Sequence, residues 1–164
     1  MASSTDRIEK QILLHAPIDR VWRAITDSRE FGSWFGMRLD GPFVAGERVG
    51  GAITPTTADP DVAAAQKPYE GTRVQLDVER IEPMRLFSFR WHPGAVDPDV
   101  DYTKEPRTLV TFALEERPDG TLLTITESGF DSIPLDRRAA TFEGNEKGWE
   151  AQLTLIGKYL SMKA

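Results

Sequence analysis

Alternation of apolar and polar residues predicts a series of β-strands. Residues 7–14 place Ile8, Ile12 and Leu14 on one face and polar residues such as Glu9 on the other, as a half-buried strand requires. Similar strand signals recur at 37–43, 48–54, 72–81, 85–91, 107–115 and 121–127. Turn residues at 83–84 and 118–120 join the last four of these segments into two hairpins.

Two short helices are predicted between the first two strands. Pro17 suits the first turn of a helix, because proline has no N–H to leave unpaired there. Apolar residues then recur at helical spacing, at Ile18, Val21, Trp22 and Ile25. A second helix over 28–34 can be capped by Asp27 or Ser28, and Gly32 limits its length.

A long helix is predicted from 132 to 162, with Ser132 as its N-cap and Pro134 just inside it. One stripe of this helix is apolar and is expected to face the sheet. It consists of Phe142, Trp149, Leu153, Ile156 and Leu160. Gly144 and Gly148 interrupt the helix, and indicate either a kink or close approach, or glycines tolerated on the surface.

Two segments lack a buried pattern. Residues 55–68 contain three prolines among Thr, Asp and Ala, and are predicted to form a mobile loop that can be shortened at little cost in stability. Residues 92–106 are rich in Pro and Asp and form the second predicted loop.

The order of elements predicts an α+β fold, in which a curved antiparallel sheet of about six or seven strands surrounds the long C-terminal helix. One domain is expected over 7–162, after a flexible N-terminus at 1–6. A curved sheet closed by one helix is not easily filled by side chains at its wide end. We therefore expect a cavity between sheet and helix, the usual place for a small ligand.

Composition and net charge argue against several classes of function. The 164 residues are 40% hydrophobic and 28% charged, as in an ordinary globular protein, and no apolar run approaches the length of a membrane span. The net charge is −6 without a basic cluster, which argues against nucleic acid as a partner. A polar N-terminus and the absence of cysteine favour a cytoplasmic location.

Motifs for metal, nucleotide and nucleophilic sites are incomplete. His15 and His92 lack metal-ligand spacing, and the acidic run at 97–101 imitates a calcium loop but continues with Tyr102 where glycine is needed. The glycines at 41 and 46 have phosphate-loop spacing without the Lys and Ser/Thr that should follow. No Gly-x-Ser-x-Gly elbow is present. No metal, cofactor or catalytic residue is therefore assigned.

A set of ordered motifs carries a family resemblance. They are APIDRVWRAIT at 16–26, WFG at 34–36, IEPMRLFSFRW at 81–91, ESGF at 127–130 and GW at 148–149. With these motifs the chain resembles the SRPBCC superfamily, in the branch named after the C-terminal domain of the activator of the ninety-kilodalton heat-shock-protein ATPase. The resemblance implies the helix-grip fold of the birch-pollen-allergen type. It also implies a cavity for lipids, steroids, polyketides or other apolar molecules.

Candidate ligand-binding residues follow from strand alternation and helical spacing. The aromatic candidates are Trp34, Phe89, Trp91, Phe112, Phe142 and Trp149, although residues of this kind are more often plain core than ligand contacts. The polar candidates are Arg73, Glu127 and Asn145. Glu127 continues the inward parity of Leu123 and Ile125, and a carboxylate buried in this way needs partners. The alternative is a Glu127 at the strand end, in solvent or salt-bridged to the helix.

Three functions stay open at this point. The leading hypothesis is a non-enzymatic domain that binds or sequesters a small apolar molecule. The second is an enzyme of the polyketide cyclase or dehydratase kind, in which Glu127 or Arg73 does acid–base or orienting work. The third is an interaction protein that stimulates a chaperone, although the chain lacks the separate N-terminal domain of the eukaryotic activators. The oligomeric state is open, with a homodimer as one alternative.

Overall fold

The computed structural model describes residues 6–93 and 105–162. The acidic run at 97–101 and nearly all of the predicted N-terminal tail lie outside these ranges. In chain order the described elements are β1 (Arg7–Leu14), α1 (Ile18–Thr26), α2 (Ser28–Phe35), β2 (Met37–Leu39), β3 (Arg48–Ile53), α3 (Pro60–Gln66), β4 (Arg73–Glu82), β5 (Leu86–Trp91), β6 (Thr108–Arg117), β7 (Gly120–Ser128) and α4 (Leu135–Met162).

All described strands form one antiparallel sheet in the order β1-β7-β6-β5-β4-β3-β2. The predicted α+β helix-grip fold is therefore confirmed. Both hairpins are present, with Glu82 paired to Leu86 and Arg117 paired to Gly120. Gly120 has a φ of 147°, and a Cβ there would come within 2.1 Å of the carbonyl oxygen of Leu14. Only glycine allows this approach of the turn to the end of β1.

The core lies between the concave face of the sheet and the helices. α4 packs against α2 and β1, and α1 packs against β6 and β7. The largest fully buried side chains include Trp34, Phe31, Phe87, Phe89, Phe112 and Phe130. Their burial removes several large aromatic surfaces from water, which is the main force that holds the helices on the sheet.

Two element boundaries differ from the sequence prediction by three residues or more. The strand expected over 37–43 ends at Leu39, because the chain turns after it and Phe43 enters the core from a loop. The long helix begins at Leu135 instead of Ser132. Buried Phe130 opens a separate 3-10 turn, Phe130–Ser132, and packs edge-on against Phe142 at 5.1 Å between ring centroids.

The prediction of a mobile, unpacked loop over 55–68 is wrong. Asp59 caps α3 by accepting hydrogen bonds from the backbone N–H groups of Asp61 and Val62, and Pro60 occupies the first turn. Polar side chains hold the segment to the protein: Thr56 donates to the carbonyl of Trp34 at 2.8 Å. The sequence pattern missed this segment because its anchors are hydrogen bonds, and its helix buries no residue.

Gly144 and Gly148 lie on the exposed side of α4, and nothing lies within 4 Å of where a Cβ would stand on either. The structure therefore agrees with the interpretation that these glycines are tolerated on the surface, and it shows no close approach of another element to them.

Among the described helices, none is long and apolar enough to cross a membrane.

Candidate functional site

Glu127 is fully buried near the end of β7. Leu123, Ile125 and Glu127 alternate inward along this strand, so the carboxylate faces the helices instead of the solvent. Its cross-strand neighbours are Ile8 on β1 and Val110 on β6, both buried. The alternative of a solvent-facing or salt-bridged Glu127 is therefore not what the structure shows.

Four side chains donate hydrogen bonds to this carboxylate. Its Oε1 accepts from the amide of Asn145 and the indole N–H of Trp149, each at 2.8 Å. Its Oε2 accepts from the indole N–H of Trp91 at 2.7 Å and from the hydroxyl of Thr108. The donors come from β5, β6 and α4, so one carboxylate joins the middle of the sheet to the long helix. We call these five residues the Glu127 network.

The Glu127 network stabilises a buried charge without a cation. No ion pair among the described residues includes Glu127; its partners are two indoles, an amide and a hydroxyl. Removing a carboxylate from water is costly unless hydrogen bonds replace the lost hydration. Two donors on each oxygen supply that replacement, because an ionised carboxylate offers about four acceptor positions.

Aromatic rings surround the network. Trp91 and Trp149 lie 5.8 Å apart between centroids with an angle of 31° between their planes, and Phe112 meets Trp149 edge-on at 5.9 Å. Phe35, at the end of α2, lies 6.1 Å from Trp91 and 5.9 Å from Trp149. These rings lie between the sheet and α4, in the region where the sequence predicted a cavity.

The remaining predicted residues are placed differently. Trp34 is buried and donates its indole N–H to the carbonyl of Ala24 at 2.9 Å, and Phe89 packs edge-on against Trp91. Phe142 is half-buried against Phe130. Trp34 and Phe89 therefore belong to the continuous aromatic core.

Arg73 does not join the Glu127 network. Its side chain is 60% exposed and forms an ion pair with Asp40 at 2.6 Å. Asp40 lines an open groove of about 300 Å³ with neighbours that include Arg48 and Gly50. The structure therefore brings Glu127, Asn145, Trp91 and Trp149 together and leaves Arg73 at a separate surface.

Sequence reasoning missed two members of the site. Thr108 stands opposite Trp91 in the β5–β6 register and shares the inward parity of Val110, a signal that could have identified it. Phe35 gives no comparable signal, because its position depends on where α2 ends. That end is fixed by Gly36, which adopts a left-handed φ of 101°.

A second cluster of charged groups joins α1, α2 and α4. Glu30 pairs with Arg20 at 2.9 Å and Arg23 at 2.8 Å, and accepts a hydrogen bond from the hydroxyl of Tyr159 at 2.7 Å. Burial alone would raise the pKa of Glu30, but Tyr159 and the two arginines outweigh it, so its pKa lies below the ordinary 4.5. Burial and the bond to Glu30 raise the pKa of Tyr159 above 10.0. This cluster is an anchor between helices.

Acidic and histidine side chains do not gather into a metal site anywhere in residues 6–93 and 105–162. The acceptor-rich carboxylate of Glu127 stands alone among neutral donors, which is a poor setting for a metal ion.

Several solved structures resemble this chain in fold. A protein of Mesorhizobium loti aligns with a TM-score of 0.70 and 24% identity, over 96% of this chain and 98% of its own. A protein of Mycobacterium smegmatis aligns with a TM-score of 0.69 and 18% identity, over 98% of this chain and 94% of its own. DynU16, a protein in the dynemicin biosynthetic locus, aligns with a TM-score of 0.67 and 23% identity, over 95% of this chain but 47% of DynU16. The TM-scores show that these proteins share the fold of this chain.

Among proteins with curated descriptions, none matches the chain significantly. One family model does match, over residues 15–161, and its description is Activator of Hsp90 ATPase homolog 1-like protein. The match includes α1 to α4 and therefore every residue of the Glu127 network. This chain belongs to the Activator of Hsp90 ATPase homolog 1-like family.

Proposed function

We propose that this chain binds a small, largely apolar molecule between the sheet and α4, beside Glu127, without catalysing a reaction. One observation carries the proposal: a fully buried carboxylate is held by four neutral donors inside an aromatic cluster. Buried ionic groups are weak contributors to stability, since well-packed apolar residues often replace them without loss. A function in recognition accounts for the presence of this one.

The two sides of the Glu127 network differ in exposure. Thr108, Phe112 and Trp149 are buried and close its inner side, whereas Trp91 and Asn145 are half-buried. A ligand would approach from the half-buried side. Aromatic walls with a few fixed polar groups are the usual composition of small-molecule sites.

The hydrogen bonds of Glu127 argue against a role as general base. A base must accept a proton from the substrate, yet each oxygen of Glu127 already accepts two hydrogen bonds. Trp91 or Asn145 would have to move before a substrate could take an acceptor position. Binding requires no such rearrangement of the carboxylate.

The enzyme hypothesis has one supporting observation, the likeness to DynU16 of the dynemicin biosynthetic locus. An enzyme of the cyclase or dehydratase kind would convert a polyketide substrate, and Glu127→Gln would abolish that turnover. Conversion by the parent protein that Glu127→Gln removes would replace the binding proposal with this one.

The family description supports a third function, stimulation of a chaperone ATPase. Addition of the purified protein to such a chaperone would then raise the rate of ATP hydrolysis. The Glu127 network lies inside the fold and does not require a protein partner, so we rank small-molecule binding first.

Native mass spectrometry of the purified protein tests the proposal, with identification of any small molecule released on unfolding. A neutral apolar dye supplies a second measurement, because its emission rises on entry into an apolar site. Asn145→Trp should weaken dye binding by filling the half-buried side. The matched control is Glu143→Trp, which adds the same ring at a 68% exposed position of α4.

The result depends on both variants being folded, since overpacking can cost about 1–3 kcal/mol. Cooperative unfolding of each variant in urea checks this condition. If the parent releases no molecule and binds no dye, or if folded Asn145→Trp and Glu143→Trp bind the dye equally, the proposed site is wrong.

A further inference from the structure

The charge of Glu127 restricts the kind of ligand that suits the proposed site. Its donors Trp91, Thr108, Asn145 and Trp149 disperse the negative charge but do not cancel it, because all four are neutral. Electrostatic attraction is stronger inside a protein than in water. A positive group on a ligand is therefore favoured here over a neutral group of the same shape.

The rings around the carboxylate favour the same charge. Trp91, Trp149 and Phe35 lie with their centroids within 5.8 to 6.1 Å of one another. The face of an aromatic ring carries partial negative charge and attracts cations within about 6 Å, and tryptophan does so most strongly. The carboxylate and the rings thus act in the same direction on a bound cation.

The hydrogen bonds of Glu127 decide which cation fits. An ammonium with N–H groups needs acceptors, but Oε1 and Oε2 each already accept two hydrogen bonds. Such a cation would have to displace Trp91 or Asn145. A fully alkylated ammonium has no N–H group, so it keeps the attraction of the charge and the rings and leaves the network intact.

We propose that the ligand of this site carries a quaternary ammonium group on an otherwise apolar body, and that this group lies against Trp91 and Asn145 on the half-buried side of Glu127. The inference rests on the proposed function and names its ligand class. The same chemistry occurs in free small cations and in the headgroups of choline lipids.

Three small probes test the charge and the hydrogen bonds separately. They are choline, its neutral carbon isostere with a tert-butyl group in place of trimethylammonium, and ethanolamine. Titration into nitrogen-labelled protein is followed by the indole N–H signals of Trp91 and Trp149. We expect choline to bind at least about fivefold tighter than either other probe, a ratio in the range of a cation–π contact. A short-chain phosphatidylcholine that binds far tighter than choline would identify a lipid as the source.

Glu127→Gln should remove most of the preference for choline over its isostere. Glu143→Gln, which removes a charge at an exposed position of α4, should retain that preference. If Glu127→Gln does not fold, the comparison of the three probes on the parent protein still decides whether the site prefers a quaternary ammonium group. Equal binding of choline and its isostere, with the apolar dye bound as proposed, would overturn this inference and leave the binding function intact. Failure of the dye and of every probe would overturn both.

Discussion

Trp149 combines two contacts that are usually separate. The residue is 2% exposed and lies among aromatic neighbours, and its indole N–H donates a hydrogen bond to Glu127. We expect Trp149→Ala to lower the free energy of unfolding by about 3–5 kcal/mol, as truncation of a buried tryptophan does. Urea denaturation of parent and variant measures the difference, and a loss below about 1 kcal/mol would contradict the packing described for α4.

The variant Trp149→Phe separates the hydrogen bond from the packing. It keeps an aromatic ring in α4 but leaves Oε1 of Glu127 with Asn145 as its remaining donor. An acceptor that loses a buried partner costs about 1–3 kcal/mol, so this variant should lie between the parent and Trp149→Ala.

Strand parity indicated an inward Glu127, in line with Leu123 and Ile125, but left a solvent-facing or salt-bridged position at the strand end open. The structure decides between the two, because Glu127 is buried. Helical spacing placed Asn145 one turn from Trp149, and the structure brings both to the same carboxylate. Whether these residues bind a ligand stays a prediction. Arg73 has the opposite parity to the inward Leu76 and Val78, so strand parity indicates the exposed position that the structure shows, where Arg73 pairs with Asp40.

At the scale of elements, the segment around α3 shows how a few polar side chains replace a buried face. Gln66 accepts from the backbone N–H of Thr56 at 2.8 Å and donates to the carbonyl of Phe35 at 3.1 Å. Asp59 pairs with Lys158 of α4, and the hydrogen bond from Lys158 lowers the pKa of Asp59. These contacts tie α3 to the end of α2, where Phe35 meets the Glu127 network.

We expect Gln66→Ala to lower the free energy of unfolding by about 1–3 kcal/mol, because it leaves the backbone N–H of Thr56 without its acceptor. The carbonyl of Phe35 keeps the hydrogen bond that Gln152 donates. Glu70→Ala, at an exposed position of the same segment, should change it by no more than about 0.5 kcal/mol. Chemical denaturation of both variants provides the comparison. Equal stabilities would restore the earlier expectation of an unpacked loop.

Two glycines of α4 are positions at which a substitution should stabilise the protein. Gly144→Ala and Gly148→Ala should each raise the free energy of unfolding by up to about 1 kcal/mol, since the added methyl groups meet open space and alanine is the better helix former. Gly120→Ala is the contrasting variant and should destabilise the protein, because of its positive φ and the nearby carbonyl of Leu14. A loss of stability in both helix variants would indicate contacts on that face.

The cluster around Glu30 predicts how the free energy of unfolding of the entire protein depends on pH. Its carboxyl has a lowered pKa in the folded protein, so folding favours the ionised form. The resulting stability is complete above the ordinary pKa of 4.5 and is lost as the pH falls through the lower, folded value. Tyr159 acts at the alkaline end of the pH range. Because its pKa is raised in the folded protein, folding favours the protonated hydroxyl, and the resulting contribution to the free energy of unfolding is complete below pH 10.0 and is lost as the pH rises above it.

Urea unfolding of the parent and of Glu30→Gln at a series of pH values tests the acid side. The difference in unfolding free energy between the two should be largest near neutral pH and should shrink below about pH 4.5. Glu143→Gln serves as the exposed control. A difference that stays constant into acid would show that Glu30 does not contribute through its charge.

The order of strands and helices along the chain was sufficient to predict the antiparallel sheet and the long helix on it, since hairpin turns and apolar stripes are local signals. Local signals did not indicate how the aromatic side chains pack against one another between the sheet and the helices. That packing depends on where α2 ends, which Gly36 fixes, and on where the 3-10 turn at Phe130–Ser132 directs the chain. The turn is held by hydrogen bonds to Asp6, which is distant in sequence.

Pairing of the first strand with the last has a consequence for synthesis on the ribosome. Gln11 and Thr124 are hydrogen-bonded across β1 and β7 although they lie 113 residues apart in the chain. β1 is made before the other described strands but has no partner strand until β7 has emerged. Ile8 and Leu14 of β1 are therefore expected to stay exposed to solvent until then. Closing so long a loop is a slow, non-local step. Completion of the sheet is therefore expected late in translation, and the Glu127 network forms later still, after Asn145 and Trp149 of α4 have been made.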